Sequence, residues 1–148
     1  MKRLPSARLL FAALLGIALA ACSTVPTGPS ARLAMYRAHA GAPVPSFRYL
    51  GRFDSWESLG NDAIAIWTRP REAWLLELAG PCNGLDFTPI IGLTSQVGQV
   101  NAGFDKVLVR DPSAINIPCI IQTIRPLDVD AIRALDKSRR DAAPATDH

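Results

Sequence analysis

The chain has 148 residues, enough for one domain with a modest core. Its formal charge of +3 comes from the start: Lys2, Arg3 and Arg8 precede Cys22, and from Cys22 onward thirteen basic residues face thirteen acidic ones. A balanced remainder lacks the electrostatic footprint of a nucleic-acid-binding protein, so no nucleic-acid partner is expected.

Lys2, Arg3 and Arg8 form a positive head, Leu9 to Ala21 is a nearly unbroken apolar run, and no acidic residue precedes Cys22. The run is shorter than the roughly 20 apolar residues of a membrane-spanning helix. Leu19-Ala20-Ala21-Cys22 reads as a lipobox, where a bacterial prolipoprotein is acylated on the cysteine thiol and cut just before it. A signal peptide is therefore expected over 1–21, with Cys22 as the lipidated residue and the membrane as the partner of its anchor. Two or more acyl chains, at about 0.8 kcal/mol per buried methylene, anchor a protein durably. Ser23, in place of the Asp that retains lipoproteins at the inner membrane, points to the periplasmic face of the outer membrane.

Residues 22–46 carry Pro26, Gly28, Pro29, Gly41, Pro43 and Pro45 and read as a flexible tether. Within it, Arg32 to His39 has helix-forming residues, with Leu33, Tyr36 and Arg37 on a shared face that would suit a short docked helix. A globular domain is expected over 47–137, opening with a strand near Phe47 to Phe53. Asp54-Ser55-Trp56-Glu57 has the form of a helix start, cut short by Gly60-Asn61-Asp62.

Ala63 to Thr68 and Ala73 to Leu78 are β-branched and aromatic runs joined by Arg69-Pro70-Arg71-Glu72, the pattern of a hairpin. Alternation puts Ile64, Ile66, Trp74, Leu76 and Leu78 on one core and Leu75 and Glu77 on the other face. Arg69 and Arg71 at the tip suit either solvent or an anionic contact. The stretch from Asn83 to Gly103 is compatible with helix or strand. Its Gly92 to Gln99 segment lacks the Gly-Lys-Ser/Thr ending of a phosphate loop. Phe104 to Arg110 and Cys119 to Arg125 read as strands, the first ended by Asp111-Pro112-Ser113 and the second by Pro126. Asp128 caps a terminal helix through about Leu135, and 138–148 reads as a disordered tail.

With Cys22 acylated, Cys82 and Cys119 are the remaining thiols, and in an exported protein they are expected to pair in a disulfide. The fold class is α+β: a small antiparallel, curled sheet with a C-terminal helix, preceded by signal peptide and tether.

Asp62 to Leu78, Cys82, Ile91-Gly92-Leu93-Thr94-Ser95, Phe104-Asp105-Lys106-Val107 and Cys119 to Asp128 together resemble the domain of unknown function 6491 family of small proteobacterial lipoproteins. The resemblance covers most of 47–128 and rests on ordered apolar strands and two cysteines. It implies a lipoprotein, no established activity and no functional residues to carry over.

His39 falls in the tether and His148 ends the chain, which disfavours a Ser-His-Asp triad, a Cys-His pair or a histidine metal site. No catalytic, metal or cofactor residue is expected. The leading reading is a structural or interaction lipoprotein of the cell envelope that holds an envelope protein partner. A small-ligand binder, with Trp56, Trp67 and Trp74 lining a pocket, is the alternative. A carboxylate hydrolase using Asp54, Glu57 or Asp105 is the weakest.

Overall fold

The apolar runs flanking Arg69-Pro70-Arg71 form the expected hairpin, β3 (Ala63–Arg69) and β4 (Glu72–Leu78), with Ile64 opposite Leu76 and Ile66 opposite Trp74. The computed structural model describes residues 28–110 and 117–142. The signal peptide 1–21, Cys22, Asp111-Pro112-Ser113 and residues 143–148 lie outside the described residues. The remaining elements are α1 (Pro29–Ala38), β1 (Ser46–Arg48), β2 (Ser55–Ser58), β5 (Ile91–Leu93), β6 (Gln99–Asn101), β7 (Lys106–Val109), β8 (Cys119–Leu127) and α2 (Val129–Ala142).

Six strands make one antiparallel sheet in the order β2-β3-β4-β8-β7-β5, curled into a half-barrel, while β1 and β6 pair separately. Side chains alternate across a strand, so the hairpin feeds two cores. Ile64, Ile66, Leu76 and Leu78 face one, which β1 and β6 complete with Phe47 and Val100. Ala63, Ala65, Ala73 and Leu75 face the other, which the helices cover with Leu33, Tyr36, Val129 and Ile132. Small alanines on the second face leave room for the helix side chains to reach the sheet.

From Pro29 the stretch read as a tether is structured, and the short docked helix suggested within it is present as α1. Pro29 sits in the first helical turn, where its missing N–H costs no bond. Leu33 and Tyr36 then turn inward, and Tyr36 is fully buried. Its ring meets Trp67 edge-on at 6.5 Å, and its hydroxyl donates to Glu57 Oε2 at 2.7 Å. Arg32 pairs with Glu57, and Arg37 with Glu77 at 2.7 Å. Residues 40–44 run along β8, with Gly41 N–H bonded to the Pro126 carbonyl at 2.8 Å and Val44 N–H to that of Ile124 at 2.9 Å. The folded unit thus includes Pro29 to Pro45 as well as 47–137. At the other end α2 continues through Ala142, so 138–142 is helix rather than tail.

Two further expectations are corrected. Asp54 to Glu57 starts no helix: Ser55 to Ser58 pair with β3, Trp56 opposite Ile66, and Gly60 at φ +96° turns the chain before a helix could form. Pro126 does not end the last strand either. Its carbonyl points away from β4 toward Gly41, so the N–H it lacks belongs to that outer side and the β4 ladder loses nothing. The 83–103 stretch resolves into β5 and β6, joined by a turn at Gln96 to Gln99. Asp128 caps α2 as expected, its Oδ1 accepting from Ala131 N–H at 3.0 Å.

Cys82 and Cys119 form a disulfide with Cα atoms 5.7 Å apart, linking the loop after β4 to the start of β8.

Candidate functional site

At the β3–β4 hairpin end of the sheet, side chains of three segments converge on a cleft of about 170 Å³. The first is β1, where Phe47 packs its ring on Trp74, centroids 5.0 Å apart and planes 19° from parallel. That stack places the next residue, Arg48, at the cleft wall. From there Leu50 and Arg52 follow, and Asp54 is pinned by its N–H to the Trp67 carbonyl at 2.7 Å. The hairpin supplies Thr68, Arg69, Pro70 and Glu72.

The two carboxylates differ in commitment. Glu72 accepts from Arg69 Nη1 at 2.8 Å, Thr68 Oγ1 at 2.8 Å and Trp74 Nε1 at 3.4 Å, so it acts as a bracket for the Arg69 guanidinium. Asp54 forms no side-chain ion pair among the described residues, and neither do Arg48 and Arg52. Among the described residues, three guanidinium groups against two carboxylates leave the cleft cationic. Planar, permanently charged forks of this kind match carboxylate and phosphate oxygens two bonds at a time. The arrangement can bind and orient an anion.

The residues suggested by the sequence for other chemistry are dispersed. Asp54 lines the cleft, whereas Glu57 lies on the helix-covered face, held by Tyr36 and Arg32. Asp105, only 2% exposed, accepts from Thr94 Oγ1 at 2.7 Å and from the Asn101 N–H and side-chain amide at 2.7 and 3.0 Å. Burial pushes the Asp105 carboxyl up, but those three hydrogen bonds outweigh it and hold it below the ordinary carboxylate value. Its role is to tie β6 and β7 to the Thr94 segment. For the Tyr36 phenol, burial pushes the pKa up to about 12, Asp136 adding to the effect while Arg32 and Arg139 oppose it.

The tryptophans do not line one pocket. Trp74 stacks on Phe47 in the first core, Trp56 packs against that core from β2, and Trp67 faces the second core beside Tyr36. Among the described residues no group of three His, Cys, Asp or Glu side chains is gathered as metal ligands would be. Of the residues that do converge, sequence reasoning singled out Arg69 and, for other chemistry, Asp54, and missed Arg48 and Arg52. Their alternation with Tyr49 and Gly51 along the sequence is no usable signal, since β1 ends at Arg48 and Gly51, at φ +82°, bends the chain between Leu50 and Arg52. Arg71, singled out with Arg69, does not line the cleft.

Fold and cleft together define a small two-core α+β domain, built on a curled antiparallel sheet and carrying a cationic recess at one end. The chain belongs to the family of unknown function DUF6491, whose model matches residues 5–143. No curated protein and no solved structure matches it.

Proposed function

We propose that the protein is a lipid-anchored interaction module of the cell envelope, which engages an anionic group of its partner through Arg48, Arg52 and Arg69. The observation that carries this reading is the convergence of these guanidiniums on one cleft, with Arg48 and Arg52 unpaired among the described residues. Envelope placement draws on the Leu19-Ala20-Ala21-Cys22 lipobox and on the Cys82–Cys119 disulfide, a bond that persists in oxidising compartments. Acylated Cys22, followed by Ser23, puts the domain on the periplasmic face of the outer membrane.

In-cell crosslinking of the tagged chain with mass spectrometry tests this. The native chain should capture a discrete envelope partner, Cys22→Ser should lose it through dilution from the surface, and Arg48→Glu with Arg52→Glu should lose it while still acylated. A partner unaffected by the charge reversal refutes the cleft. Recovery of the native chain in the soluble periplasm, or in the inner membrane alone, refutes the localisation.

A further inference from the structure

The end of the sheet away from the cleft is where the chain arrives from Cys22. The cleft adjoins Arg69 and Pro70, whereas β3 begins at Ala63, about 20 Å away along the strand. At that opposite end α1 starts against the β2–β3 turn: a Cβ built on Gly60 would sit 3.3 Å from the Pro29 Cβ. The turn is also tied to the loop after β4. Cys82 N–H donates to the Asn61 carbonyl at 2.8 Å, and Ser58 Oγ donates to Asp86.

This end exposes large apolar side chains. Phe87, one residue beyond Asp86, is 89% exposed, and Ile117, just before the disulfide-bonded Cys119, is 71% exposed. Ile117 and Ile120 line a shallow groove of about 260 Å³ with Ala79, Pro81 and Pro118, and among the described residues no charged side chain lines it. In water such side chains gain nothing from exposure, and an aromatic or aliphatic surface at the headgroup boundary recovers the hydrophobic term.

The length of chain between anchor and domain decides what can cover this end. Seven Cα-to-Cα steps separate Cys22 from Pro29, and that many residues reach at most about 25 Å. An acyl anchor on Cys22 therefore keeps the Pro29 end of the sheet within that distance of the bilayer. A contact made under such a tether is intramolecular, so even weak apolar contacts are populated.

We infer that Phe87, Ile117 and Ile120 form a bilayer-seating surface that enters the headgroup–acyl boundary, leaving the arginine cleft directed to the aqueous side. The inference rests on the acylation of Cys22 proposed above. The rival orientation, with the arginines drawn to anionic headgroups, would put Leu50 against the lipid instead.

The test uses the full acylated chain in vesicles of phosphatidylethanolamine and phosphatidylglycerol, part of the phospholipid being brominated on its acyl chains to quench nearby tryptophan. The unsubstituted chain gives the background from Trp56, Trp67 and Trp74. Phe87→Trp and, independently, Ile117→Trp should add emission quenched severalfold more strongly than the emission added by Leu50→Trp. Flotation of the native chain and of Cys22→Ser is read in parallel. If the native chain floats only when acylated, yet neither probe at 87 or 117 is quenched beyond Leu50→Trp, the seating is overturned and the anchor stands. If the acylated chain does not float at all, anchor and seating fall together.

Discussion

Tyr36 provides the sharpest test of whether α1 belongs to the folded unit. Its side chain is fully buried, it packs on Trp67, and it donates to the Glu57 carboxylate. Replacing a buried aromatic by alanine costs about 3–5 kcal/mol, whereas Tyr36→Phe keeps the ring and gives up a hydrogen bond to a charged group, about 1.5–3 kcal/mol. In urea, at a slope of about 2 kcal/mol per molar, Tyr36→Ala should lower the unfolding midpoint by about 2 M and Tyr36→Phe by about 1 M. The assay is far-ultraviolet circular dichroism of the Cys22→Ser form at neutral pH. Glu57→Gln combined with Tyr36→Phe should cost less than the sum of the two, because they share one bond. Alkali gives a second readout. The folded chain holds the phenol proton up to about pH 12 against an ordinary 10.0, so this contribution is full below pH 10.0 and is lost as pH rises through about 12. A residue in a tether would move neither midpoint nor alkaline limb, and midpoints matching the unsubstituted chain would refute the docking of α1.

Asp105 should govern the acid limb. Its carboxyl is held below the ordinary 3.8, so its contribution is full above that pH and is lost as pH falls through the lowered value. Asp105→Asn should flatten this dependence and cost about 2–4 kcal/mol near neutrality, since an amide meets three donors with one acceptor oxygen; an acid titration of the unfolding free energy with an unchanged slope would count against it. The disulfide spans a sequence separation of 37, for which the chain-entropy model gives roughly 4 kcal/mol. Cys82→Ala with Cys119→Ala should lose about that much in denaturant unfolding, and an intact mass insensitive to reduction would contradict the bond.

What the sequence disclosed follows from how local the determinants are. The strands around Ile64, Leu76, Val107 and Ile124 carry their own apolar runs and are legible without knowing their neighbours. The Asp128 cap is legible because its bond reaches only three residues ahead. Helix α1 is hard to read because its partners are remote: Tyr36 bonds across 21 positions to Glu57 and Arg37 across 40 to Glu77, while its own apolar face is two residues wide. The Ser55 strand was hidden by a capping signature that pairing with β3 overrides. For the tryptophans the parity was already present: residue 67 shares the odd positions of Ala63 and Ala65, and so faces away from Ile66. The cleft depends on the register that sets Phe47 opposite Val100 and hence aims Arg48, a long-range pairing that no local pattern encodes.

The place of β8 in the sheet has a consequence for biogenesis. Synthesised last of the described strands, it lies between β4 and β7, so β2-β3-β4 and β7-β5 remain two halves of the sheet until β8 is made. Contacts of such long sequence separation form late and slowly. Under the export route proposed above, such a delay would keep the polypeptide threadable during translocation, with the sheet closing once its carboxyl-terminal portion has crossed.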